Sequence, residues 1–167
     1  MEVPLKAFEP AVLALADALR GAGLHIATAE SCTGGMIAAA CTAVAGSSDW
    51  FERGFVTYSN EAKAESIGVD PALIAKHGAV SAEVAQAMAI GALAHSRAQL
   101  AVAVTGIAGP GGATPGKPVG TVWLALAGTK SPVHVELLQL SGDRAAIREA
   151  TVHAALQRLL SFVTRVR

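Results

Sequence analysis

The chain has 167 residues, enough for one domain with a substantial core and no need of disulfide staples. With 52% hydrophobic and 16% charged residues it is a packed globule rather than a disordered chain. Thirteen basic residues balance thirteen acidic ones, and the only basic grouping is the thin scatter of Arg158, Arg165 and Arg167, so partnership with nucleic acid or an anionic membrane is disfavoured.

The N-terminal stretch MEVPLKAFEPAVLALADALRGAGL carries an apolar pattern interrupted by Pro10, Asp17 and Arg20, without a small-residue cleavage site after a basic start. It reads as an amphipathic helix over 10–24, ending at Gly21 and Gly23, and not as a signal peptide or membrane span. LHIAT then predicts a short buried strand. TAESCTGG follows at 28–35, and MIAAACTAVA predicts a helix from Gly35 that stops at Gly46. The turn CTGG therefore places backbone N–H groups at a helix start, facing a strand end.

Residues 51–58 (FERGFVTY) predict a second strand, and 60–67 a short helix stopped by Gly68. Asp70 caps another short helix opened by Pro71. Ser81 begins a long amphipathic helix, and 100–104 is a compact apolar strand. The Gly/Pro-rich segment TGIAGPGGATPGKP comes next, and a loop of that length in a compact domain is more often functional than idle. Strands over 119–127 and 133–140 form a hairpin through GTKSP, and a helix over 142–166 carries Arg144, Arg148 and Arg158. The sum is an α/β fold, a three-layer α/β/α sandwich around a mixed sheet of about five strands. No repeat or linker divides it, so residues 1–167 read as a single domain.

Gly111 to Lys117 has the spacing of a phosphate-binding P-loop, but Pro118 stands where the magnesium-binding Ser or Thr belongs, and a strand follows instead of a helix. The triphosphate reading fails. What survives is a Gly/Thr loop able to bring N–H groups close to an anionic or carbonyl group. The five histidines show no metal-ligand spacing, and no serine sits in a GxSxG elbow. Cys32 and Cys41 make neither a disulfide scaffold nor a zinc pattern, which points to a reducing cytoplasm.

In TAESCTGG the plain reading is that Ser31 or Thr33 caps the next helix. The turn also lies at the carboxyl end of a strand, where open α/β sheets place ligands, and a nucleophile there faces N–H groups able to stabilise an oxyanion. Residue type leaves Ser31, Cys32 and Thr33 as rivals. Lys63, among alanines near the start of a short helix, would supply a base if its amine were desolvated; otherwise it is a solvated helix lysine.

TAESCTGG, GSSDWFERGFVTYSNEAK, IGV, GAVSAEVAQAMA, AVTGIAGPGG, KPVGTVWLALAG and SGDRAAIREATVHAAL, in this order, closely resemble the CinA C-terminal domain family over about residues 10–160. The resemblance implies hydrolysis of the carboxamide of nicotinamide mononucleotide to nicotinate mononucleotide and ammonia. It implies Ser31 as nucleophile and Lys63 as its base, with no cofactor and no metal. Beside that implication, the N–H groups of Thr33, Gly34 and Gly35 are the expected oxyanion donors. Tyr58 and Asn60 would orient the base or contact substrate. Thr105, Gly106, Gly109, Gly111 and Gly112 suit close backbone approach to the mononucleotide. Arg144 or Arg148 would clamp its phosphate, although Arg148 reads equally well as a surface helix residue. The small molecule is then the partner, with neither nucleic acid nor membrane, and a homo-oligomer is expected. Many members of the family carry a further N-terminal domain resembling molybdopterin-binding proteins, and activities tied to it are not expected here. The rival is a nucleotide-binding regulatory module of the same fold without turnover, which would keep the glycine loop but would not need the Ser31 and Lys63 pair.

Overall fold

The computed structural model describes residues 5–165, so Val166 at the end of the expected last helix, Arg167 in the basic scatter, and the first four residues of the N-terminal pattern lie outside it. A 3-10 turn at Leu5–Phe8 leads into α1 (Glu9–Ala22). Gly21 lies inside that helix; Gly23, left-handed at φ 65°, ends it. Then follow β1 (Ile26–Glu30), α2 (Met36–Thr42), β2 (Phe51–Val56), α3 (Asn60–Ile67), α4 (Pro71–His77), α5 (Ala82–Ala94), β3 (Leu100–Gly106), β4 (Thr121–Gly128), β5 (Ser131–Gln139) and α6 (Arg144–Arg165).

The expected cap at Asp70 is present, accepting from Ala72 N–H, and Ser81, the expected start of the long helix, caps it by accepting from Val84 N–H. β1 runs on to Glu30 instead of ending at Thr28, β2 stops at Val56 rather than Tyr58, β3 extends to Gly106, and β4 starts at Thr121 rather than Val119. Two further boundaries shift for a visible reason. α2 stops at Thr42 rather than Gly46, where the Thr42 hydroxyl bonds back to the Ala38 and Ala39 carbonyls and so competes with continuation of the helix. The hairpin turn shrinks to Thr129 and Lys130 because Gly128 and Ser131 pair across it.

The sheet has the order β2-β1-β3-β4-β5. β1 runs parallel to β2 and β3, and β4 and β5 are antiparallel additions, which makes the sheet mixed as expected. One face packs α1, α2 and α6 around Phe8, Leu15, Trp50, Leu124 and Leu156. The other packs α5, with α3 and α4 outside it, around the alanine-lined face of β1 and β3. Alternation along β1 sorts its residues: Ile26 joins the first core, whereas Ala27 and Ala29 join the second.

From β1 the chain goes to β2 on one side, and it later returns to β3 on the other. Strand order therefore switches between β1 and β3, and the crevice outside their carboxyl ends is where such sheets hold ligands. α3 closes that crevice because it sits hard against α5: a Cβ on Gly91 would collide with the Ile67 carbonyl. Position 91 thus sets how near the α3 side chains come to the strand ends.

Candidate active site

The carboxyl ends of β1 and β3 each bring a hydroxyl residue to the crevice, Ser31 just beyond β1 and Thr105 within β3. β1 ends at Glu30, so Ser31 is the first residue beyond the sheet, and its N–H is still anchored on the Val104 carbonyl of β3 at 3.1 Å. Ser59 caps α3 by accepting from Ala62 N–H, and this places Lys63 in the first turn of that helix, on its buried side. Lys63 is 1% exposed. Its Nζ lies 3.1 Å from Ser31 Oγ and donates to the Thr57 carbonyl at 2.8 Å.

Those two partners are neutral oxygens. An ammonium withdrawn from water without a carboxylate costs several kcal/mol, so the neutral amine is favoured instead. Burial accordingly holds the Lys63 amine below the ordinary lysine value. The neighbouring thiol moves the other way: burial pushes Cys32 up to about 11, so little thiolate exists at neutral pH. Ser31 beside a basic amine is the better-activated nucleophile of the two.

Ser31, Lys63, Tyr58 and Asn60 line a cleft of about 250 Å³. Thr105 and Gly106 from the end of β3 form its floor with Ala108, and Arg144 closes the rim. Cys32, Ala79 and Val80 line the rest of it. Ala79 and Val80 fall within the motif GAVSAEVAQAMA, to which no site role is attached; they are held there by the Thr105 hydroxyl, which donates to the Ala79 carbonyl at 2.8 Å. Arg144 donates to the Gly109 carbonyl at 2.8 Å and to the Tyr58 hydroxyl at 3.3 Å.

Thr33, Gly34, Gly35, Gly109, Gly111, Gly112 and Arg148 do not line the cleft. Gly34 and Gly35 take positive φ, 59° and 100°, which folds the turn back on itself. The Gly34 N–H is bonded to the Ser31 carbonyl at 3.0 Å, while those of Thr33 and Gly35 stay outside the backbone ladder. Arg148 reaches this turn from α6, with Nε on the Cys32 carbonyl at 3.1 Å and Nη2 on the Thr33 carbonyl at 3.0 Å. The two arginines, one helical turn apart, thus face different tasks: Arg144 borders the cleft, and Arg148 braces the 31–35 turn.

Neither Ser31 nor Thr33 caps α2. Its N-cap is Gly35, without a side-chain cap, and the first-turn N–H groups of Ile37 and Ala38 go instead to the Glu30 carboxylate at 2.8 and 3.0 Å. The Thr33 hydroxyl donates to the same carboxylate at 2.7 Å. An acidic residue five or more positions before a helix is no capping pattern in sequence; the turn's reversal brings it there. Among the described residues, no helix is long and apolar enough to cross a membrane.

The family model for the CinA C-terminal domain matches residues 9–163. A CinA-like protein of Geobacter sp. (strain M21) is 58% identical over 149 residues, 89% of this chain but 36% of that protein. The chain therefore spans little more than a third of the length of such relatives. The nicotinamide-nucleotide amidohydrolase PncC of Escherichia coli (strain K12) is 54% identical over 143 residues, covering 86% of this chain and 87% of the relative. Among solved structures, the competence/damage inducible protein CihA from Agrobacterium tumefaciens superimposes with a TM-score of 0.90 at 46% identity, over 92% of this chain and 94% of that one.

Proposed function

Because the chain belongs to the CinA C-terminal domain family, we propose that it is a nicotinamide-nucleotide amidohydrolase, which converts nicotinamide mononucleotide to nicotinate mononucleotide and ammonia and so returns the pyridine ring to NAD synthesis. The observation that carries the chemistry is the 3.1 Å approach of a buried amine to the Ser31 hydroxyl at the switch-point cleft.

In this mechanism neutral Lys63 takes the proton from Ser31 Oγ as that oxygen attacks the carboxamide carbon. The negative charge that develops on the amide oxygen would be met by N–H groups of the turn: those of Thr33 and Gly35 make no backbone bond, whereas that of Gly34 is bonded to the Ser31 carbonyl, and since none of the three lines the cleft, the substrate oxygen would have to reach toward the turn. The Lys63 ammonium returns its proton to the departing nitrogen as the C–N bond breaks and ammonia leaves; a water deprotonated by the same amine then attacks the acyl-Ser31, and the ammonium delivers that proton to Ser31 Oγ as the acyl–oxygen bond breaks. Each proton taken is given back, so no cofactor is required.

The cleft is smaller than the roughly 300–1,000 Å³ of most small-molecule sites, and it suits the pyridine carboxamide while ribose and phosphate extend over the rim. Arg144 is the rim cation, and it would receive the phosphate there by charge-assisted hydrogen bonds. Tyr58, 61% exposed and bonded to Arg144, and Asn60 would contact the same substrate. In the same reading the enzyme works in the cytoplasm, where the free thiols Cys32 and Cys41 stay reduced. Assembly with further copies is part of it, given exposed apolar side chains such as Val56 and Leu137, and light scattering tests it.

The test is ammonia release from purified protein supplied with nicotinamide mononucleotide. Turnover by wild type and its loss in Ser31→Ala is the expected result. Wild type that releases no ammonia, or Ser31→Ala with full activity, would sink the reading.

A further inference from the structure

Glu30 precedes the nucleophile directly, is 1% exposed, and has no part in the proton transfers above. Strand alternation turns its side chain toward the face that carries α2, whereas Ser31 next to it meets Lys63 from α3. Every polar group found on the Glu30 carboxylate is a donor. Oε1 accepts from the Thr33 hydroxyl and Ile37 N–H, and Oε2 from Ala38 N–H at 3.0 Å and the Thr28 hydroxyl at a long 3.5 Å. One side chain therefore ties together the strand before Ser31, the turn after it and the start of the next helix.

That turn is otherwise restrained by the Ser31 N–H on the Val104 carbonyl, the Gly34 N–H on the Ser31 carbonyl, and Arg148. Its N-cap is glycine, its two glycines hold positive φ, and its carbonyls are braced from the far side by Arg148. A site that works at a 3.1 Å separation tolerates displacements of only about 0.5 Å. We propose that Glu30 is a positioning residue, whose buried carboxylate locks the 31–35 turn and α2 so that Ser31 Oγ stands within hydrogen-bond reach of Lys63. This rests on the reading of Ser31 as nucleophile given under Proposed function.

Glu30→Gln tests the assignment because it keeps size and shape but replaces one acceptor oxygen by an NH2 that must face a donor. Two rates are read on protein shown folded by circular dichroism: turnover of nicotinamide mononucleotide, and acylation of Ser31 by p-nitrophenyl acetate followed by mass spectrometry. The expected result is a drop of about 10- to 100-fold in kcat and in Ser31 labelling, with KM within about twofold. A purely structural carboxylate would lower Tm and leave both rates per folded molecule unchanged, and that result overturns the proposal. If Glu30→Gln does not fold, Thr33→Val removes the 2.7 Å contact while Thr33→Ser keeps it. Slow labelling in the valine variant with recovery in the serine variant supports the assignment, and equal rates in both overturn it. Wild type that labels at Ser31 but does not hydrolyse the mononucleotide would refute the substrate and leave Glu30 to be judged by labelling alone; wild type that does not label at Ser31 overturns both.

Discussion

Two glycine- and threonine-containing segments leave the carboxyl ends of adjacent parallel strands, and they are held in opposite ways. The turn after β1 buries Ser31, Cys32 and Thr33, and it is fixed by Glu30 on one side and Arg148 on the other. The loop after β3 is exposed from 110 to 116, closed at its base by paired bonds between Ile107, Gly120 and Thr121, and tied elsewhere by Arg144 to Gly109 and by Lys117 to the His77 carbonyl. Composition does not separate the two; the density of buried polar contacts does. The nucleophile proposed for Ser31 needs fixed geometry at the reacting atom, whereas an exposed loop that does not line the cleft can rearrange at small cost.

The rigid turn should therefore be where substitutions hurt most. Ser31→Ala and Lys63→Ala are each expected to lower kcat/KM by about 10⁴-fold, and the double variant by little more, because the pair acts as a unit. Steady-state ammonia assays check this; strictly multiplicative losses would break the pairing.

Next come the two arginines of α6. Arg148→Ala should lower kcat about 10-fold with KM nearly unchanged, since its guanidinium braces the Cys32 and Thr33 carbonyls. Arg144→Ala should raise KM about 10-fold with kcat nearly unchanged, since its guanidinium sits at the cleft rim. The reverse split would exchange their roles and undo the contrast between brace and rim.

Lys63→Met should be a stability gain. Burial lowers the folded-state pKa of Lys63 below the unfolded value of 10.5, so at neutral pH folding carries the cost of neutralising or burying the amine. Wild-type stability rises with pH between the lowered value and 10.5, and the advantage of Lys63→Met should shrink over that window. Thermal melts at several pH values decide it; an unchanging gap between the two proteins would mean that the lysine is not titrating in place.

The smallest effect is expected in the exposed loop. Lys117→Met removes one bond to the His77 carbonyl and should cost about 1 kcal/mol or less, with kcat within about twofold. A large kcat loss would mean that the loop shares the rigidity assigned here to the turn.

Most elements were legible because their signals are local. Gly68 closing α3, Asp70 with Pro71 opening α4, Ser81 opening α5 and the apolar run of β3 stand where pattern and caps put them. Meeting of Ser31 with Lys63 was not local: it depends on the crossover from β1 through β2 to α3, and only the resemblance of whole motifs named that pair in advance. Glu30 was invisible as a helix cap for a similar reason. Its acceptance of Ile37 and Ala38 N–H requires the positive φ of Gly34 and Gly35 to reverse the chain, and a seven- or eight-residue separation carries no capping signature. Ala79 and Val80 reach the cleft through the Thr105 hydroxyl, a contact 26 residues apart.

The central claim is that neutral Lys63 is the base for Ser31, and the pH dependence of single-turnover amide cleavage tests it most directly. The rate should climb with pH along one limb whose midpoint lies below the ordinary lysine value of 10.5 and then level off. A rate that stays flat from mildly acidic to alkaline pH, with bond cleavage shown to be limiting, would contradict it.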